Sequence, residues 1–200
     1  MSDEIKLFNR WDTSLIHVDD QGLQKYINLR PLFIPKTGGK NVKVVFHKSK
    51  NHIVERLINK LMVPGHKGKK HKLTSGHCGG KATHKYGLIE KTFTLIETRT
   101  KKNPVEVFVK AVENAAPREE ITTIEYGGAR YPKAVECAPQ RRVDIALRQF
   151  VQGAYGKSFN AKKKIHETLA EEIIKAYNMD QTSTAISKKL ELERQADASR

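Results

Sequence analysis

Apolar residues recur at helical spacing over most of the chain beyond residue 50. The clearest stripe has apolar positions at i, i+1, i+4, i+5 and i+8, and consists of Ile53, Val54, Leu57, Ile58 and Leu61. This pattern predicts an amphipathic helix that begins after an N-cap at Asn51 and ends before Pro64. Its charged residues Glu55, Arg56 and Lys60 are predicted to point away from the core.

Five further segments show the same helical period: residues 84–101, 103–117, 139–156, 161–178 and 184–200. The valines of the second of these alternate as in a strand. However, Asn103 followed by Pro104 is typical of a helix N-terminus, so we predict a buried helix there. In the third segment, the residues predicted to face the core are Val143, Leu147 and Phe150.

A change to β-branched and aromatic residues at about 119–137 predicts two strands joined by a two-residue turn at Gly127 and Gly128. Pro132 fits such a strand only where the strand edge is free. A two-stranded ribbon is marginal alone in water, so it must lie on the core or gain order on a partner. We therefore predict a mostly α fold: a helical bundle of about six helices with a protruding two-stranded β-hairpin arm and an extended N-terminal segment.

The first fifty residues show no sustained period, and the stretch YINLRPLFIPKTGGKN is interrupted by prolines and glycines. Such a composition is typical of an extended segment. The side chains of Phe8, Trp11, Leu32 and Phe33 favour packing of at least part of this segment on the core. We therefore predict an N-terminal extension over residues 1–50 and a helical domain over residues 51–200.

The chain carries 37 lysines and arginines against 22 aspartates and glutamates, which gives a formal net charge of +15. An excess of this size favours a polyanionic partner, because each phosphate contact releases condensed counterions. Residues 64–87 are the most basic stretch, with six lysines, four histidines, six glycines and no acid. We predict a phosphate-binding loop there, with contacts through Lys67, Lys69, Lys70 and Lys72.

Further basic positions lie on or next to two of the predicted helices. Arg141 and Arg148 are seven residues apart and fall on nearly the same side of one helix, roughly opposite its apolar stripe. Lys162–Lys164 lie at the start of the next helix. These separate positions indicate a broad binding surface. No helix-turn-helix, zinc-finger or heptad pattern occurs in the sequence, so structured RNA is favoured over sequence-specific reading of duplex DNA.

A zinc site is the main chemical alternative, because histidines and a cysteine crowd one stretch of the chain. These residues are His66, His71, His77, Cys78 and His84. Their spacing matches no zinc motif, so we predict neither a metal nor a cofactor.

Enzymatic activity has little support in the sequence. The chain contains no GxSxG and no Walker-type motif. The acid pairs Glu119–Glu120 and Glu171–Glu172 are interpreted as solvated faces. We therefore predict that the protein is not an enzyme. A zinc-dependent RNA-processing factor, a generic nucleic-acid-binding protein and a DNA-compacting protein stay as alternatives.

The sequence also indicates a compartment. Cys78 and Cys137 lie in very different contexts, which argues against a disulfide framework and fits a reducing environment. No apolar run approaches the roughly 18 residues of a membrane-spanning helix, and the polar start lacks the apolar core of a secretory signal. We expect a cytoplasmic protein with no membrane partner.

Three segments resemble a known family: NPVEVFVKAVENAAPREE, GGARYPKAVECAPQRRVDIALR and LERQADASR. They are similar to the small-subunit ribosomal protein seven family. The segments LFNRWD, YINLRP and HIVERLINKLM are similar to its archaeal and eukaryotic branch, more closely the archaeal. The resemblance spans nearly the whole chain.

This resemblance implies a helical bundle with a hairpin arm in the head of the small ribosomal subunit. It implies binding to the 3′ major domain of small-subunit ribosomal RNA through the domain at 51–200, initiation of head assembly, and contact with neighbouring head and platform proteins. It also implies that the hairpin and the C-terminal region approach the exit-site tRNA and the messenger RNA path.

The resemblance also assigns individual positions. It places Gly127, Gly128, Ala129 and Arg130 at the hairpin tip, near tRNA and messenger RNA. The residues predicted to bind ribosomal RNA are Arg118 before the hairpin, Arg141 and Arg142 after it, and Arg148, Lys162, Lys163, Lys67, Lys69, Lys70 and Lys72 on the strength of their charge.

Overall fold

The computed structural model describes residues 5–38, 43–64 and 78–200. Within these ranges lie seven α-helices: α1 (Gln21–Gln24), α2 (Ile53–Leu61), α3 (Ala82–Thr100), α4 (Pro104–Ala115), α5 (Pro139–Ser158), α6 (Ile165–Tyr177) and α7 (Thr184–Asp197). A 3₁₀ turn spans His47–Lys50, and strands β1 (Glu119–Tyr126) and β2 (Ala129–Glu136) lie between α4 and α5. The predicted mostly α fold with a hairpin arm is confirmed. None of the described helices is long and apolar enough to cross a membrane.

The hydrophobic core lies where α3, α4 and α5 pack with the central helix α6. Its largest members include Phe93 from α3, Phe108 from α4 and Phe150 from α5, all fully buried. The ring centroids of Phe93 and Phe108 are 6.0 Å apart. Burial of each such ring stabilises the fold by about 1.5–3 kcal/mol. Val143 and Leu147 are also buried, so the predicted core face of α5 is confirmed.

Helix α4 begins as its sequence predicts. Asn103 is the N-cap, and its side chain accepts a hydrogen bond of 3.0 Å from the backbone N–H of Val105. Pro104 takes the first helical position, where its missing N–H would have no partner within the helix. The local capping signal therefore outweighs the strand-like alternation of the valines.

Part of the N-terminal segment packs on the helices, as expected. Trp11 is buried, and its ring meets Phe93 edge to face at a centroid distance of 5.6 Å. Its Nε1 donates a hydrogen bond of 3.1 Å to Glu97 on α3. Leu32 and Phe33 are 38% and 53% exposed, so they contribute less to this packing than Trp11 does. The division of the chain near residue 50 stays a prediction.

Helix α2 is covered on more sides than its amphipathic pattern predicts. Glu55 accepts hydrogen bonds from the backbone N–H and the hydroxyl of Thr37, at 2.9 and 2.6 Å. Arg56 donates to the carbonyl of Tyr26 at 2.9 Å. Both charged side chains are buried. The prediction that they point away from the core is wrong, because the N-terminal segment lies over that side of α2.

The N-cap of α2 is His52, not the predicted Asn51. His52 Nδ1 accepts a hydrogen bond of 3.2 Å from the N–H of Val54. Asn51 instead ends the preceding 3₁₀ turn, where its backbone N–H bonds the carbonyl of Lys48. Burial lowers the pKa of His52 from 6.5 to about 4. The ring is therefore neutral at physiological pH, and its Nδ1 remains an acceptor.

Glu172 on α6 joins three helices. Its side chain is fully buried, and Lys157 from α5 donates to it. The hydroxyl of Ser183 and the backbone N–H of Thr184 also donate to it, at 3.1 and 3.0 Å. The carboxylate thus caps the start of α7, whose own N-cap side chain makes no such bond. The interpretation of Glu172 as part of a solvated face is wrong, because α7 folds over it.

The hairpin has the predicted turn. Its strands pair in antiparallel register from Glu119 opposite Glu136 to Tyr126 opposite Ala129. The intervening Gly127 and Gly128 have φ of 57° and 81°, and a Gly-Gly pair adopts two such positive values in succession without the steric cost of a side chain. The base of the hairpin contacts α7, while its outer part is exposed. The hairpin is therefore an arm anchored at its root.

Candidate nucleic-acid interface

Helix α5 presents two arginines to solvent. Arg141 and Arg148 are both exposed, while the apolar residues between them are buried. Within the described part of the chain, Arg148 forms no ion pair. The predicted arginine face of this helix therefore exists, and its contact with RNA stays a prediction.

Arg141 also braces the hairpin. Its guanidinium binds both carboxylate oxygens of Glu120 on β1, with Nε–Oε1 and Nη2–Oε2 distances of 2.5 and 2.7 Å. The hydrogen bond from Arg141 lowers the pKa of Glu120. Just over half of the Arg141 side chain, 54%, stays accessible. The residue can therefore meet a phosphate while it holds the hairpin root to α5.

The neighbouring Arg142 lies inside the protein. Its Nε donates to the carbonyl of Pro117 at 3.0 Å, and its Nη2 donates to Asp20 at 2.7 Å. Only 9% of the residue is exposed. This geometry ties the N-terminal segment to the chain just before the hairpin. Contact of Arg142 with RNA stays a prediction that its burial does not favour.

Arg141 and Arg148 line a groove of about 510 Å³, hereafter the α5 groove. Phe46 and Lys48 also line this groove. Phe46 is 74% exposed, and its φ of 59° lies in the left-handed region, which is strained for a bulky residue. Sequence reasoning missed this exposed ring, because nothing local distinguishes it from a phenylalanine that packs inward.

A charge network centred on Asp144 adjoins the α5 groove. Asp144 accepts hydrogen bonds from Lys48 and from Arg56, the latter with an Nη2–Oδ1 distance of 2.9 Å. Burial alone would raise the pKa of Asp144, but the bonds from both cations outweigh it and lower the pKa overall. Burial and the nearby charge of Arg148 lower the pKa of Lys60. Asp144 is the one carboxylate among the described residues that line the groove, against Lys48, Arg141 and Arg148, so the groove keeps a net positive charge.

The hairpin tip is exposed and carries an ion pair. Arg130 Nε lies 3.6 Å from Glu125 Oε2, and both side chains are mostly in solvent. Tyr126 and Tyr131, on either side of the turn, are 82% and 58% exposed. Unpaired bases stack on exposed aromatic rings of this kind. Sequence reasoning missed the two tyrosines, although the pattern YGGARY marks them.

Other predicted contacts lie away from the groove. Arg118 is exposed beside α7, and its backbone N–H donates to Glu193 at 3.0 Å. Lys162 and Lys163 lie between α5 and α6, and Lys163 Nζ is 3.0 Å from Glu171 Oε1. The predicted contacts outside the described residues are Lys67, Lys69, Lys70 and Lys72.

Metal binding gains no support from the described residues, which contain no group of three or more histidine, cysteine, aspartate or glutamate residues placed to hold an ion. Cys78 and His84 line one cleft. The other members of the suspected set, His66, His71 and His77, lie outside the described residues. Burial, together with Glu120, raises the pKa of Cys137 to about 11, so this thiol stays protonated.

Comparison with known proteins gives the family. The chain matches the family model described as Ribosomal protein S7p/S5e over residues 24–200. It is 57% identical over 197 residues to the small ribosomal subunit protein uS7 of Nanoarchaeum equitans (strain Kin4-M), covering 98% of this chain and 100% of that protein. It is 44% identical over 196 residues to the protein of the same name from Methanothrix thermoacetophila, covering 98% of this chain and 100% of that protein. The chain therefore belongs to the ribosomal protein S7p/S5e family.

Membership of this family defines the class of the protein. It is a structural constituent of the small ribosomal subunit and not an enzyme. Both relatives are archaeal, which confirms the branch implied by the sequence motifs. As part of the ribosome it acts in the cytoplasm.

Proposed function

We propose that this chain binds the 3′ major domain of small-subunit ribosomal RNA and thereby initiates assembly of the subunit head. The α5 groove is the observation that carries this proposal, because it combines a net positive charge with an exposed aromatic ring. Phosphates contact Arg148 and Arg141, and an unpaired base stacks on Phe46. Lys162, Lys163 and Arg118 widen the surface for further phosphate contacts.

Several cations at the groove are held by carboxylates of the protein itself. Asp144 holds Lys48 and Arg56, and Glu120 holds Arg141. Side chains that are held in place lose less rotamer freedom on binding, which favours affinity. A rigid protein surface of this kind can impose one geometry on a flexible RNA junction, which is what an assembly-initiating protein must do.

The hairpin arm is proposed to lie near the exit-site tRNA and the messenger RNA path, beside neighbouring head and platform proteins. Its tip, formed by Gly127, Gly128, Ala129 and Arg130, is the part farthest from the helical core along the two strands. The exposure of Tyr126 supports a contact with another molecule at this tip.

Binding of the full chain to a 3′ major-domain ribosomal RNA fragment, with duplex DNA as competitor and across a salt series, tests the first proposal. Six to ten phosphate contacts lower affinity by roughly 10³–10⁵ between about 50 and 200 mM salt. We expect the RNA fragment to be preferred at every salt concentration. Equal affinity for the RNA fragment and for duplex DNA would indicate non-specific binding by a basic protein and would contradict the proposal.

Placement of the arm is tested by crosslinking. A photoreactive phenylalanine analogue at Tyr126 is incorporated into the full chain, which is assembled into small subunits and loaded with tRNA and messenger RNA. We expect crosslinks to tRNA or messenger RNA from Tyr126 and none from a control position at Tyr86, whose side chain is half-buried and bonds the carbonyl of Pro35. Crosslinks from Tyr126 to protein alone would exclude the proposed path.

A further inference from the structure

The hairpin arm is covered by other parts of the protein only near its root. The first three residues of β1 are partly buried, as are Ala134 and Val135 of β2, whereas the outer residues of both strands are exposed. A two-stranded ribbon without such cover is marginally stable in water. The order of the whole arm therefore depends on the contacts at its root.

Two neighbouring carboxylates hold this root on opposite faces. Successive side chains of a strand point to opposite faces of the ribbon, so Glu119 and Glu120 lie on different faces. Glu119 accepts from Arg200, which follows α7. Glu120 is bound through both oxygens by Arg141 in the first turn of α5. The Glu120 side chain is 16% exposed, and a bidentate pair of this kind is both strong and fixed in geometry.

Arg141 belongs to the root and to the α5 groove at the same time. It lines the groove together with Arg148. A guanidinium has five N–H donors, and the bonds to Glu120 occupy Nε and one proton of Nη2, which leaves donors for a phosphate. A phosphate on those donors holds the planar guanidinium in one position. The bidentate pair then passes this restraint to β1.

We propose that Glu120 is a positioning residue that couples the α5 groove to the hairpin arm through Arg141. RNA bound in the groove stiffens the arm, and Glu120 in turn raises the affinity of the groove for RNA, because coupling between two sites is reciprocal. The inference rests on the proposed RNA-binding function and adds a regulation of that site. Charge alone predicts the opposite role, since a carboxylate beside a basic groove disfavours a polyanion.

The first experiment measures the order of the arm by hydrogen–deuterium exchange of the hairpin amides in the full chain, with and without the 3′ major-domain RNA fragment at saturating concentration. In the free chain, Glu119→Gln and Glu120→Gln each speed this exchange about two- to fivefold, as loss of a partly exposed ion pair predicts.

The two substitutions differ once RNA is bound. RNA slows hairpin exchange about two- to fivefold in wild type and in Glu119→Gln, whose Arg141–Glu120 pair is intact, and this slowing is lost in Glu120→Gln. Direct contact between RNA and the arm would slow exchange in all three proteins alike. The comparison therefore separates coupling through Arg141 from direct contact.

The second experiment measures RNA affinity at one salt concentration. Glu120→Gln binds the fragment about two- to fivefold more weakly than wild type, although it has lost a negative charge. The control Glu125→Gln removes the same charge from the exposed ion pair with Arg130 at the tip and binds no more weakly than wild type. In the Arg141→Gln background, Glu120→Gln causes no further loss, because the two residues act as one unit.

RNA binding by Glu120→Gln that equals or exceeds that of wild type would overturn the coupling, as would equal slowing of hairpin exchange in the two proteins. Faster hairpin exchange in RNA-bound wild type would overturn it as well, because phosphate would then displace Glu120 from Arg141. If wild type binds duplex DNA as tightly as the RNA fragment, the proposed function fails. The coupling stands even then, provided that bound nucleic acid slows hairpin exchange in wild type and not in Glu120→Gln.

Discussion

The two basic surfaces of this molecule differ in how their cations are held. In the α5 groove, Glu120 binds Arg141 and Asp144 binds Lys48. The second basic surface is a cleft between the start of α3 and the connection from α5 to α6. Its described lining has no aspartate or glutamate, and its Lys163 pairs with Glu171 outside that lining. The difference teaches that the net charge of +15 includes cations of two kinds. Some are paired with carboxylates of the protein itself, and others, such as Arg148, have no ion pair among the described residues.

The largest expected effect separates these two kinds of cation on one helix. Arg142→Met breaks the buried contacts to Asp20 and Pro117, so we expect a loss of about 3–5 kcal/mol in the free energy of unfolding. Arg148→Met, at an exposed position on the same helix, should change it by no more than about 0.5 kcal/mol. Urea unfolding of both variants measures the contrast. Similar losses of unfolding free energy in the two variants would show that Arg142 does not stabilise the protein more than Arg148 does.

The second prediction concerns the pH dependence of the free energy of unfolding, which includes a contribution from His52 at the N-cap of α2. The pKa of His52 is 6.5 when unfolded and about 4 when folded, so between these values the unfolded chain binds the extra proton. Stability is therefore complete above about pH 6.5 and falls as the pH drops towards 4, by roughly 3 kcal/mol. His52→Asn keeps a capping acceptor but cannot titrate. Chemical denaturation between pH 7 and 4.5 should show that His52→Asn loses less of its free energy of unfolding than the wild-type chain does. Equal losses in the two proteins would contradict this prediction.

A third comparison contrasts the core side of α5 with its solvent side. A Cβ added at Gly153 would lie 2.7 Å from the Oγ1 and 2.8 Å from the Cβ of Thr184, whereas one at Gly156 would meet nothing within 4 Å. Gly153→Ala should therefore destabilise the protein by about 1–3 kcal/mol through overpacking. Gly156→Ala should stabilise it by about 0.5–1 kcal/mol through helix propensity. Thermal unfolding of the two variants tests this contrast. If both substitutions raised the Tm, α5 and α7 would have to move apart at little cost, contrary to the prediction.

The smallest expected effect is on RNA affinity. Arg148→Gln should weaken binding to the 3′ major-domain fragment about tenfold and reduce the slope of log affinity against log salt by about 1, since one phosphate contact is lost. The exposed Lys25, which lines neither surface, provides the control Lys25→Gln, for which both quantities stay as in wild type. Titrations of RNA at several salt concentrations measure the affinity and the slope. An unchanged slope in Arg148→Gln would show that Arg148 makes no phosphate contact.

Features set by neighbouring residues in the chain could be predicted from the sequence. The N-terminus of α4 follows from Asn103 and Pro104, and the hairpin turn follows from Gly127 and Gly128, because each depends on local backbone chemistry. The core face of α5 follows from helical period alone. In the first two cases the partner of each group lies within a few residues, and for the core face the spacing of apolar residues along the helix is sufficient.

Burial of charged groups could not be predicted in this way. Arg142 bonds Asp20 across 122 residues of sequence, and Arg56 bonds Asp144 across 88. Such contacts appear only when distant segments fold together, so the basic positions look alike in the sequence. Lys85 shows the same limit, because only the packing of α3 beside the α5–α6 connection reveals that it is buried.

The braces at the root of the hairpin have a mechanical consequence. Glu119 is bound by Arg200 and Glu120 by Arg141, so each of the first two residues of β1 is held by an arginine outside the hairpin. Eight residues of strand at about 3.3 Å each form a cantilever of roughly 26 Å, so a tilt of about 5° at its root displaces the tip by about 2 Å. A small change in the angle between α5 and α7 is thereby amplified at the hairpin tip. The resulting displacement is large enough to make or break a hydrogen bond there.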